Sequence, residues 1–231
     1  MDILRKRKGG LYMKAEYKYT KDTKVPAIIT LGNYSTPVWI QQEWDSGEYE
    51  EFIRKNGCGH CCTAMVLNLH GVEINPHEEY CLCRKKWGAP RMGEPIYEDN
   101  FLSETGIAEI IRYFGIPARA FGIESGKAYE ASVFIENELL AGKQIIIWSH
   151  PSDKLPDNPF SPGEHYILAA GFTDDGKILI ANSSRRSKAE NGIQFTERET
   201  IEKVLFEGTQ ISDYTWGRYD FAKSGAFVVI G

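Results

Sequence analysis

Asn56-Gly57-Cys58-Gly59-His60-Cys61-Cys62-Thr63-Ala64-Met65 is the stretch on which the reading of this chain turns. Cys58 sits between two glycines, just before a run that reads as a helix. Glycine permits a sharp turn and a close approach to the backbone. A helix start just beyond places positive backbone dipole near the sulfur, which favours thiolate over thiol. A nucleophilic cysteine needs that setting. Far downstream, Gly163-Glu164-His165-Tyr166-Ile167-Leu168 places a histidine at the start of an apolar strand, where it could act as a base. Pairing these two segments is the central expectation.

The rest of the chain bounds what that pair could belong to. With 231 residues, 42% hydrophobic and 26% charged, it is of ordinary globular composition and long enough for a large buried core. A net charge of -5 gives no reason to expect nucleic acid as a partner. The basic run Arg5-Lys6-Arg7-Lys8 reads as a solvated end. No apolar run is long enough to span a membrane, and no apolar core follows the basic start, so no secretory signal is read. The five cysteines are odd in number and clustered, a poor disulfide framework. Reduced thiols in a cytoplasm are the simple expectation, although a secreted chain trimmed of its signal would read the same.

Periodicity places the motifs on elements. Val25 to Leu31 reads as a strand and Pro37 to Gln42 as a short extended piece, with a turn at Asp45-Ser46-Gly47. Cys61 to Leu69 reads as a helix. Asn75-Pro76 starts another, with Asn as cap and Pro at the first helical position. Ile107, Ile110, Ile111 and Phe114 have helical spacing, and a further helix runs from about Val133 to Ala141. Gln144 to Ser149 is a buried strand. His165–Phe172 and Lys177–Asn182 form a hairpin about Asp175-Gly176. Thr196 to Glu199 has a capping-box pattern opening a short helix, and Ala226 to Ile230 closes the chain as a strand. Residues 88–100, rich in Gly and Pro, read as a loop over the site. The expectation is an α+β fold: an N-terminal arm over 1–24, then one domain over 25–231. Its helical lobe covers about 25–142 and its antiparallel sheet lobe about 143–231.

Acyl transfer through a thiol needs a thiolate, an imidazole, a group that orients the imidazole and a donor for the oxyanion. Cys58 and His165 fill the first two roles. Asn182, on the next strand, can face His165, with its amide oxygen accepting the Nδ1–H. Gln41 offers the oxyanion donor, with Gln42 as the alternative.

The order Gln, Cys, His, Asn is that of papain-like folds. Gly57-Cys58-Gly59 with Ala64-Met65, together with the His165–Phe172 strand and its Asp-Gly hairpin, resembles the bacteriocin-leader (double-glycine) processing peptidases. The resemblance covers about residues 37 to 184. It departs where His60 and Cys61 stand in place of Pro and Thr, and where Asn182 replaces the more common Asp. It implies a bacterial papain-like cysteine peptidase of the thiol-protease class, a hydrolase whose partner is a peptide or protein substrate and which needs no cofactor. The alternatives are a papain-fold acyltransferase or amidohydrolase acting on a small metabolite, and a non-catalytic metal- or ligand-binding module. For the last, His60, Cys61, His77 and Cys81 are the candidate zinc ligands, since His77 and Cys81 share a helix face. Otherwise Cys61, Cys62, Cys81 and Cys83 read as core thiols.

Overall fold

The computed structural model describes residues 14–45, 50–87, 103–207 and 226–231. The basic run at 5–8, the 88–100 loop and most of the turn after Asp45 lie outside the described residues.

Three short strands come first: β1 (Ala15–Tyr19), β2 (Ala27–Leu31) and β3 (Tyr34–Val38) form an antiparallel sheet in that order. Within the N-terminal segment, where the sequence allows a short strand or an ordered arm, residues 15–19 form a paired strand, with Ala15 opposite Leu31. Pro37 lies in β3, an edge strand, where its missing N–H costs no ladder bond. A 3-10 turn over Gln41–Glu43 follows.

Four helices come next: α1 (Glu50–Asn56), α2 (Cys58–Leu69), α3 (Pro76–Trp87) and α4 (Glu104–Tyr113). α1 was not foreseen, because its seven residues are mostly charged and carry little periodicity. α3 starts as expected. Asn75 Oδ1 accepts the His77 and Glu78 N–H groups, while Glu78 Oε2 accepts the Asn75 N–H. This reciprocal cap satisfies donors that the first turn would otherwise leave orphaned.

The second half holds β4 (Ala118–Phe121), α5 (Ala128–Leu140), β5 (Gln144–Ser149), β6 (His165–Phe172), β7 (Ile178–Ala181), β8 (Ile193–Thr196), α6 (Arg198–Val204) and β9 (Phe227–Ile230). The six strands form one antiparallel sheet in the order β4-β9-β5-β6-β7-β8. Two expectations need correction. β4, inside the presumed helical lobe, is an edge strand of the main sheet, paired with the last strand of the chain. The capping box at Thr196 does not form: Thr196 ends β8, and Glu197 caps α6 without a side-chain bond. Ile193 and Phe195 share a face of β8, yet Ile193 is buried and Phe195 is 40% exposed, so the strand shows no clean alternation in the sequence.

The main sheet is covered on both faces. Ile146, Leu168, Ala170, Leu179, Val228 and Ile230 pack with α2, α4 and the small sheet. Their neighbours one position away, among them Ile145, Ile147, Ile167, Ala169, Ile180 and Val229, pack with α5 and α6. This is the period-two alternation of a strand with two buried faces. α2 lies between the two sheets and is buried on every side from Gly59 to Leu67. Most of its residues are accordingly apolar, and its buried polar side chains are partnered, Thr63 with Gly59 O and His60 with Glu79. Among the described residues no helix is long and apolar enough to cross a membrane.

Candidate active site

α2 begins at Cys58 itself, three residues earlier than the sequence suggested. Gly57 makes the junction: its N–H bonds Ile53 O at 2.8 Å, and its own carbonyl accepts the Cys61 N–H at 2.8 Å. A Cβ on Gly57 would fall 2.4 Å from Ile53 O, so only glycine lets α1 run directly into α2. Cys58 is therefore the first helical residue, among donors that no earlier carbonyl can satisfy.

The sulfur is approached by three backbone N–H groups, those of Tyr166, Gly59 and Cys58 itself. They favour the thiolate. Burial outweighs them and pushes the Cys58 thiol up from its ordinary value. The half-buried position of Cys58 thus works against the thiolate that the helix start favours. Cys61, Cys62 and Cys83 are pushed up further, burial again first among the causes.

His165 opens β6 and is buried. Its Nε2 lies 2.9 Å from Asn182 Oδ1. The sequence expectation named Nδ1 for this bond; the structure assigns Nε2. Asn182 Nδ2 donates to Phe160 O at 2.9 Å and to Gln194 Oε1 at 3.3 Å, while Oδ1 also accepts the Ser184 N–H at 2.9 Å. Those partners fix which end of the amide faces His165. An acceptor faces Nε2, so Nε2 carries the proton and Nδ1 is the basic nitrogen. Burial, opposed by the Asn182 bond, lowers the His165 pKa to about 4. The imidazole is neutral at neutral pH.

Asn182 follows directly after β7, and its position is set from two sides. A bulge between Ala169 and Gly171 shifts the β6–β7 register, leaving Leu168 opposite Ala181. Asn182 N–H bonds Gly192 O at 2.9 Å. Gly192 has φ +77, and a Cβ there would lie 2.7 Å from Val38 Cγ1.

Gln41 is buried and tied to the residue after Asn182. Its N–H bonds Ser183 O at 2.9 Å, and its Oε1 accepts the Ser183 hydroxyl at 3.2 Å. Its Nε2 donates to Arg54 O at 3.3 Å, toward the end of α1. Ser183 also hydrogen-bonds the Cys61 thiol, so one serine ties the Gln41 turn, α2 and the β7 exit together. Gln42 turns elsewhere, its Oε1 accepting the Arg185 N–H at 3.0 Å.

Sequence reasoning missed Tyr166 and Glu104. The Tyr166 backbone N–H meets the Cys58 sulfur, and the Tyr166 hydroxyl donates to the buried Glu104 carboxylate at 3.0 Å. Burial, then the Glu104 carboxylate, holds this phenol well above its ordinary value, so it remains a donor. Nothing in the sequence pairs positions 104 and 166. The four residues read as a zinc set do not come together either. His60 contacts Glu79, whereas Cys81 Sγ lies 3.5 Å from His77 Nε2, half-buried rather than in the core.

No family model matches the chain, and no curated protein matches it. Among solved structures, it is similar to a crystal structure from Bacillus anthracis, provisionally described as a C39-like peptidase. The identity is 14%, over 76% of this chain and 88% of that one, with a TM-score of 0.44.

Proposed function

We propose that the protein is a papain-like cysteine peptidase in which Cys58 attacks a peptide or isopeptide carbonyl. The observation that carries this reading is the Asn182 amide. Its donors are committed to Phe160 and Gln194, so it holds His165 with Nε2 protonated and Nδ1 basic. The Tyr166 N–H at the Cys58 sulfur supports placing that thiol beside the His165 segment.

The resting pair is neutral, thiol and imidazole. As Sγ attacks, its proton passes to His165 Nδ1, and the carbonyl oxygen takes the new negative charge. The Cys58 backbone N–H and Gln41 Nε2 stabilise that oxyanion. The imidazolium then protonates the leaving amine, and the thioester carbonyl remains on Cys58. Water, deprotonated by His165, hydrolyses the thioester and restores the thiol. Asn182 stabilises the imidazolium and keeps the ring from rotating.

The pairing is tested with 1,3-dibromoacetone, whose two reactive carbons bridge a sulfur and a nearby imidazole. Mass mapping is expected to find Cys58 joined to His165. Single-site alkylation of Cys58 alone, at any pH, would remove the pair. Peptides offered in parallel with small thioesters separate peptidase from acyltransferase: an acyl adduct on Cys58 from thioesters only moves the reaction to the second class.

A further inference from the structure

We propose that His60, Glu79 and Cys83 form a zinc-binding site that clamps α2 to α3. Their ligand atoms, one from each residue, all lie within 4.8 Å of one another. The three residues are 4%, 0% and 1% exposed. Glu79 and Cys83 stand one turn apart on α3, so their side chains share a face. His60 reaches them from the first turn of α2.

Glu79 divides its carboxylate between the other two. Oε2 meets His60 Nδ1, and Oε1 accepts the Cys83 thiol at 3.3 Å. Ligand atoms around tetrahedral zinc stand roughly 3.5 Å apart, given Zn–S near 2.3 Å and Zn–N near 2.0 Å. The Cys83–Glu79 spacing is already of that size. The two oxygens of one carboxylate are too close together to fill two tetrahedral corners, so Glu79 counts as one ligand; the three residues supply one sulfur, one nitrogen and one carboxylate, and a water takes the fourth corner.

Donor chemistry selects the ion. Thiolate and imidazole suit zinc and its neighbours, while calcium and magnesium take oxygen. Charge also balances, because a dication with one thiolate and one carboxylate is neutral, which a buried site favours. On binding, the Cys83 Sγ–H proton leaves to solvent and His60 ligates through Nδ1 as the Nε2–H tautomer. Aromatic rings wall the site. Tyr80 packs edge-on to His60 at 5.0 Å and stacks on Phe52 at 4.6 Å, which shields the site from bulk solvent and fixes the imidazole plane. The site is structural, and it stands whether or not Cys58 is a nucleophile.

The test uses the full chain carrying Cys58→Ser, so that zinc cannot sit on the half-buried candidate nucleophile. After zinc loading and desalting, elemental analysis is expected to find about one zinc per chain. Cys83→Ser and Glu79→Gln lose it, and Cys81→Ser, which alters the separate His77–Cys81 pair, keeps it. If the first two variants fail to fold, Cys58→Ser alone decides. Zinc is then expected to raise its Tm and protect Cys83 from alkylation in mild denaturant, and cobalt in its place gives a thiolate charge-transfer band. No retained metal, or retention undiminished in Cys83→Ser, or Cys83 unprotected by zinc, overturns the proposal.

Discussion

His165 Nε2 and Asn182 Oδ1 lie 2.9 Å apart across the β6–β7 hairpin, seventeen positions apart in sequence. The bond works in one direction only, because the other end of the Asn182 amide is held by Phe160 O. The ring is therefore locked in one tautomer, and its basicity sits on Nδ1. On the proposed mechanism, this is where the thiol proton goes.

Asn182→Ala removes that lock and leaves the ring free to rotate. The expected cost is roughly 10²-fold in kcat/KM, the scale of a misplaced catalytic group. Asn182→Asp keeps an acceptor facing Nε2 and is expected to retain more activity than the alanine variant. Steady-state kinetics on a cleaved peptide checks the order; equal losses in the two variants would argue against an orienting role.

The pH dependence follows from His165. Its folded pKa of about 4 lies below the ordinary 6.5, so the unfolded chain binds the proton first as pH falls. The stability contributed by the neutral buried imidazole is complete above about pH 6.5 and is lost toward pH 4. The full loss is about 3 kcal/mol as an upper figure, at 1.36 kcal/mol per unit. Denaturant melts of wild type and His165→Gln at pH 7 and pH 4.5 are expected to show a smaller acid loss in the variant. The acid limb of kcat/KM is expected near pH 4 by the same titration.

Cys58 reactivity is expected to be slow at rest. Because burial pushes the thiol up, iodoacetamide labels Cys58 more slowly at pH 7 than it labels a free thiol, and the rate climbs only above the ordinary thiol range. A peptide aldehyde, whose carbonyl allows proton transfer during attack, is expected to react at neutral pH. Mass spectrometry of intact protein checks both; rapid iodoacetamide labelling at pH 6 would mean that a resting thiolate exists.

Gly57→Ala is expected to destabilise the fold by at least 1–3 kcal/mol, the usual cost of overpacking, because the new Cβ meets a backbone oxygen that cannot yield. Gly163→Ala is the control, since a Cβ there meets nothing within 4 Å. Thermal melts of the two variants give the comparison.

Sequence pattern alone located β6 to the residue, because eight mostly apolar positions end at an Asp-Gly turn. It also found Asn182 by counting back along the hairpin. What it could not see was the bulge at Ala169 and Gly171, which slides β7 by one residue and brings Asn182 nearer to His165. Nor could it choose between Nδ1 and Nε2, since that choice rests on Phe160 and Gln194, both non-local. The thiol was misjudged because a helix start is visible in sequence whereas burial is not. Glu79 and Cys83 were passed over for His77 and Cys81, which have the same spacing; only the packing of α2 on α3 tells the two pairs apart.

His165 and Asn182 follow Cys58 by more than a hundred positions. At 5–20 residues per second, a ribosome delivers the sulfur roughly 5–25 s before the imidazole and its amide anchor. On the proposed mechanism, a half-made chain therefore carries its attacking sulfur with no imidazole to take the proton. Cleavage by that mechanism would have to wait until the hairpin has emerged, so the order of the residues would postpone the chemistry until the fold is nearly whole.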